Sequence, residues 1–237
     1  MTMASQRISI LGGGLMGHGI ALVFAAAGHA VKITDPSAEV RDRVRERIGA
    51  TLDDLGIVNA ALERIDVVAT LEDCVAGAQW VIEAAPEDLA LKQRIFADVE
   101  RSAPAEAILA SNTSVIPIGQ IMTNVARKQR TLGTHWWNPP YLVPLVEVVR
   151  TAETADATVA ATIGLLKSVG KAPVEVKKDV PASSATGCST RCGGRRSRWS
   201  RKASATPRRW TTSSNQASAR GSPCWARWRM PTWSALN

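Results

Sequence analysis

The chain has 237 residues, 45% of them hydrophobic and 21% charged, with a formal net charge of +8. No apolar run approaches the ~20 residues of a membrane-crossing helix, and Met1–Arg7 has no secretory-signal pattern, so a cytoplasmic location is expected. The four cysteines include no C-x-x-C pair, so neither a zinc site nor a disulfide framework is indicated and no metal is expected.

The charge is unevenly placed. Residues 1–181 hold 18 Lys/Arg and 21 Asp/Glu, a net −3, whereas residues 182–237 hold 11 basic residues and no acidic one. A basic protein invites a nucleic-acid partner, but here the sign reverses over most of the chain. The partners expected are a small-molecule substrate, no nucleic acid and no membrane.

In chain order, Arg7–Leu11 reads as a buried strand and Leu15–Ala27 as a helix. Between them, Gly12-Gly13-Gly14-Leu15-Met16-Gly17 fits G-x-G-x-x-G. Gly12 permits the tight turn, Gly14 lets a pyrophosphate approach the backbone, and Gly17 allows close packing of helix on strand. A second strand, Ala30–Thr34, ends at Asp35, 18 residues after Gly17. A carboxylate there would accept hydrogen bonds from the adenosine ribose and repel a 2′-phosphate, which favours NAD over NADP.

A charged helix is expected over Ala38–Leu55, then strands at Ile65–Ala69, Trp80–Ala84 and Ala107–Ala110, with a helix at Leu89–Ser102 between the last two. Strands near Thr131–His135, Leu145–Val149 and Pro173–Val176 bracket a helix at Ala155–Val169. This alternation gives the fold class: α/β, a Rossmann-type doubly wound and mostly parallel sheet. The expected division is an NAD-binding dehydrogenase domain over 1–181 and a basic tail over 182–237. The tail has no Val, Ile, Phe, Asp or Glu, one Leu, 11 Ser and five of the eight Trp. Such a stretch buries too little aliphatic surface to fold, so disorder is expected.

Five stretches, in order, resemble the 3-hydroxyacyl-CoA dehydrogenase family over about three quarters of the chain. They are Ile10–Ile20; Glu83-Ala84-Ala85-Pro86-Glu87-Asp88-Leu89 with Lys92; Ser111-Asn112-Thr113-Ser114; Gly133-Thr134-His135-Trp136-Trp137-Asn138-Pro139; and Leu145-Val146-Glu147-Val148-Val149. Oxidising a secondary alcohol needs a base for the hydroxyl proton while hydride leaves for the nicotinamide, and an imidazole ordinarily titrates near neutrality. The resemblance assigns His135 and Glu147 as that catalytic pair, with Glu147 orienting the ring. It implies that Ser114 and Asn138 line the site, and that Glu87 and Lys92 contact the cofactor. His18 and His29 read as packing residues.

The resemblance leaves the substrate open. Members that act on coenzyme A thioesters tend to carry a longer, lysine-rich helix after the second strand. Here that region is short, with Asp53 and Asp54 and no Lys between Lys32 and Lys92. The segment around Trp136-Trp137-Asn138-Pro139-Pro140-Tyr141 looks closer to the lambda-crystallin, L-gulonate dehydrogenase and carnitine dehydrogenase branch. Oxidation of an L-3-hydroxyacyl-CoA, a fatty-acid reaction, and of a small free hydroxy acid both stay open. A non-catalytic, crystallin-like NAD-binding protein is a further class, and a nucleic-acid binder acting through the Arg/Trp tail ranks last.

The tail departs from the family. Where members continue Pro-Gly-Phe-Ile-Gly-Asn-Arg into an all-helical domain, Pro181 is followed by Ala182-Ser183-Ser184-Ala185-Thr186-Gly187. One nucleotide lost after the Pro181 codon accounts for this. In the restored frame, serine TCN becomes NTC (Phe, Leu, Ile or Val) and tryptophan TGG becomes NTG (Leu, Met or Val), which are ordinary core residues. On this frameshift reading the chain as written lacks the domain through which relatives dimerise, and the family's catalytic asparagine.

Overall fold

Alternation along each strand divides the apolar residues between two faces of one sheet. In β1 (Arg7–Leu11), Ile8 and Ile10 enter one buried cluster and Leu11 the other; in β4 (Trp80–Glu83), Trp80 and Ile82 part from Val81 in the same way. A computed structural model describes residues 4–56 and 59–180. The expected disorder of 182–237 lies outside the described residues.

The remaining strands are β2 (Ala30–Thr34), β3 (Ile65–Val67), β5 (Ile108–Ser111), β6 (Thr131–Trp136), β7 (Leu145–Val149) and β8 (Ala172–Val176). The spatial order is β3-β2-β1-β4-β5-β6-β7-β8. Neighbours are parallel except β6 and β7, which pair antiparallel with His135 opposite Glu147. The order reverses between β1 and β4, so the crevice beyond their carboxyl ends is the place where an open α/β sheet takes a ligand.

The helices are α1 (Leu15–Ala26), α2 (Ala38–Asp54), α3 (Leu71–Val75), α4 (Leu89–Ser102), α5 (Ile118–Ile121) and α6 (Asp156–Ser168). One core cluster joins β-strand side chains to α1, α2 and α6 through Ile20, Phe24, Val44, Ile48 and Leu165. The other joins them to α3, α4 and α5 through Cys74, Phe96, Val99 and Ile118. Ser37, Thr70 and Asp88 cap α2, α3 and α4, each side chain accepting a backbone N–H from the first turn. Among the described residues no helix is long and apolar enough to cross a membrane.

Every expected strand and long helix is present, with ends moved by one or two residues. β3 stops at Val67 rather than Ala69, because Thr70 already caps α3. The sequence reading contained neither α3, nor α5, nor the 3-10 turn Asn59–Arg64.

Candidate active site

The first wall of the crevice is the glycine turn. Gly12 has φ +109°, and a Cβ there would lie 2.8 Å from the Ala84 carbonyl oxygen. At Gly17 a Cβ would fall 1.8 Å from the Gly12 oxygen, so helix α1 leaves β1 with no room for a side chain. Gly14 faces open space and begins α1 without a side-chain cap or an acidic residue in the first turn. The helix's positive end is therefore exposed to whatever occupies the crevice. Asp35 stands at the tip of β2 as expected: its Oδ2 accepts Gly13 N–H at 2.9 Å, and its Oδ1 accepts Ser37 N–H at 2.9 Å. An open glycine, an uncapped helix start and a neighbouring carboxylate fit the pyrophosphate and the adenosine ribose of a dinucleotide.

The second wall is the β6–β7 ladder. The antiparallel register sets His135 against Glu147, and His135 Nδ1 lies 2.8 Å from Glu147 Oε2. Both side chains are largely shielded, 12% and 3% exposed. A carboxylate at Nδ1 fixes the tautomer with Nδ1–H, so Nε2 is the basic nitrogen of the neutral ring, and it stabilises the imidazolium once a proton arrives.

The floor lies beyond β4 and β5. Glu83 and Lys92 are fully buried and 2.6 Å apart. Glu83 also accepts from Ala85 N–H and Ser111 Oγ–H. Lys92 Nζ donates in addition to the Ala85 carbonyl, and lies 3.3 Å from Glu87 Oε2. Glu87 Oε1 in turn accepts from Thr113 Oγ1 (2.7 Å), Ser114 N (2.6 Å) and Val115 N (3.2 Å). Burial pushes the Glu87 carboxyl up, but the bonds from Thr113 and Ser114 and the Lys92 ammonium outweigh it and hold the group below the usual carboxylate range.

The loop from Trp137 to Pro144 closes the far side. Lys171 donates to the carbonyls of Pro140 and Val143, the latter at 3.1 Å, and its ammonium sits 5.7 Å from the Trp136 ring centroid. On the other flank, the missing Cβ of Gly19 makes room for Pro140, whose Cδ would be 3.0 Å from it.

These walls enclose a cleft of about 650 Å³, lined by Met16, Glu87, Asn112, Ser114, His135 and Asn138, among others. Eight of the expected site residues lie elsewhere than in its lining, Glu147 among them, behind His135. Gly12, Gly13, Gly14, Gly17 and Asp35 form the adjoining turn, and Leu15 is 63% exposed. Lys92, expected to contact the cofactor, is 0% exposed, and its ammonium bonds or pairs with Glu83, Glu87 and Ala85. Glu83 and Thr113, which build the floor, stand out in the sequence only as parts of motifs, and no motif points to Lys171. The signal for Glu83 was a carboxylate ending an otherwise apolar strand. His18 and His29 are buried, His18 bonding Gly14 O and His29 accepting Gln6 N–H, as packing residues would. Among the described residues no group of three His, Cys, Asp or Glu could hold a metal.

The NAD-binding domain of 3-hydroxyacyl-CoA dehydrogenase matches residues 7–180. L-carnitine dehydrogenase of Streptomyces griseus is 38% identical over 180 residues, 74% of this chain and 54% of that protein. The 5-formyl-3-hydroxy-2-methylpyridine 4-carboxylate 5-dehydrogenase of Mesorhizobium japonicum is 35% identical over 181 residues, 74% of this chain and 59% of that one. The crystal structure of (S)-3-hydroxybutyryl-CoA dehydrogenase from Ralstonia eutropha superposes with a TM-score of 0.71 at 33% identity, covering 74% of this chain and 64% of that chain. The chain thus spans little more than half the length of these curated relatives. It belongs to the 3-hydroxyacyl-CoA dehydrogenase family, through that family's NAD-binding domain.

Proposed function

We propose that the protein is an NAD-dependent dehydrogenase of a secondary hydroxyl group, with His135 as the proton acceptor. The observation that carries this reading is the His135–Glu147 pair, buried and 2.8 Å apart on the wall of a cleft that opens beside the glycine turn. His135 Nε2 takes the hydroxyl proton while Glu147 holds the ring and offsets the charge that develops on it. Bound NAD supplies the hydride acceptor. Gly12–Gly17 and the start of α1 hold its phosphates, and Asp35 its adenosine ribose. Ser114, on a turn that Glu87 pins, and Asn138, in the loop after β6, offer hydrogen bonds to the carbonyl and carboxamide groups that meet in the cleft.

The first substrate class is an L-3-hydroxyacyl-CoA, the group named in the family and in the Ralstonia structure. A small free hydroxy acid is the second reading, supported by the carnitine and pyridine-carboxylate relatives. The test is NADH formation by the full chain from 3-hydroxybutyryl-CoA and, separately, from carnitine. Activity with one of them that falls by about 10²–10⁴-fold in His135→Ala supports the reading. Activity that survives the substitution unchanged sinks the assignment of the base.

A further inference from the structure

The floor of the cleft carries an unbalanced charge. Glu83 and Lys92, both at 0% exposure, cancel one another at 2.6 Å. The second carboxylate, Glu87, lies 3.3 Å from the same ammonium and is 35% exposed. Three groups with one positive charge between two negative ones sum to −1, and the negative end is the one that reaches the cleft. No Lys or Arg is among the residues lining that cleft. The bonds that Thr113, Ser114 and Lys92 give Glu87 keep it ionised across the neutral range.

Hydride must pass between the substrate carbon whose hydroxyl meets His135 and the redox ring of the cofactor. If the cofactor reading above holds, that ring therefore lies in the cleft that His135 and Glu87 both line. The oxidised ring carries a positive charge and the reduced ring none. We infer that Glu87, backed by the Glu83–Lys92 pair, selects the oxidised cofactor over the reduced one through its charge. With the water that reaches Glu87 screening it nearly as bulk water does, a unit charge several ångströms away shifts the preference by about fivefold.

Glu87 also pins the Thr113–Val115 turn, so a loss of affinity alone would not separate charge from scaffolding. The ratio of two affinities does. NADH binding to the full chain is read by fluorescence titration, and NAD+ binding by competition against NADH, in wild type, Glu87→Gln and Glu87→Asp. The expected result is that Glu87→Gln weakens NAD+ about fivefold more than NADH, while Glu87→Asp keeps the wild-type ratio even where both affinities fall. An equal change for both cofactor forms in Glu87→Gln overturns the inference and leaves the cofactor reading standing. Failure of wild type to bind either form overturns both.

Discussion

Lys171 is the residue in this site that no motif announces. Its amine is held by two carbonyls and an indole face, and among the described residues no carboxylate pairs with it. Burial pushes its pKa from 10.5 down to about 8. Between those two values the folded protein binds less of a proton than the unfolded chain does, so stability due to this group rises with pH across that window. The ladder of bonds survives deprotonation, because a neutral amine keeps two donors for two carbonyls. Denaturant midpoints measured across the window should therefore climb for wild type relative to Lys171→Met, and parallel curves would refute the assignment. The contrast with His135 and Glu147 shows what a sequence exposes at this scale. Those two stand 12 residues apart across one loop, so their pairing could be read as two successive strands. Lys171 reaches carbonyl oxygens 28 and 31 residues away, and backbone acceptors have no residue identity to read. Lys92 shows the reverse: its position was legible, but its fully buried pairing with Glu83 was not.

At the scale of elements, apolar runs bounded by turns located all eight strands, since parallel strands buried on both faces read as short hydrophobic stretches. What escaped were the elements too short for periodicity. α5 is four residues long, and its own N-cap, Pro117, gives it no side-chain bond. Its partner is Asp179, about sixty residues on: Oδ1 accepts Ile118 N–H and Oδ2 accepts Gly119 N–H, each at 2.7 Å. One carboxylate thus satisfies two orphan amides of a helix start and ties the chain leaving β8 to the region beyond β5. Removing it leaves those amides without that acceptor. Asp179→Ala should cost about 1–2 kcal/mol, with hydrogen exchange accelerating at Ile118 and Gly119 ahead of the sheet amides. Asp179→Asn keeps one acceptor oxygen and should fall between the two. If exchange at these amides is unchanged in Asp179→Ala, the cap contributes nothing.

For the whole molecule the question is what stands over the cleft. Its surroundings include exposed apolar side chains, Leu15 at 63%, Val115 at 51%, Leu142 at 54% and Trp137 at 36%. A hydride-transfer site works best where water is excluded, because the charges that steer it are then less screened. Rims of this kind ordinarily meet another apolar surface. Residues 182–237, with 11 basic residues, 11 serines, five tryptophans and a single leucine, have little aliphatic surface to offer. On the frameshift reading, the same bases read one position earlier would encode the aliphatic residues that the segment lacks. Restoring one nucleotide after the Pro181 codon should therefore yield a protein that binds NADH more tightly and turns over at least ~10²-fold faster. It should also run as a dimer in size-exclusion chromatography with light scattering. A 237-residue chain that already matches the restored protein in turnover and mass would show that residues 182–237, as written, are a working part of the enzyme.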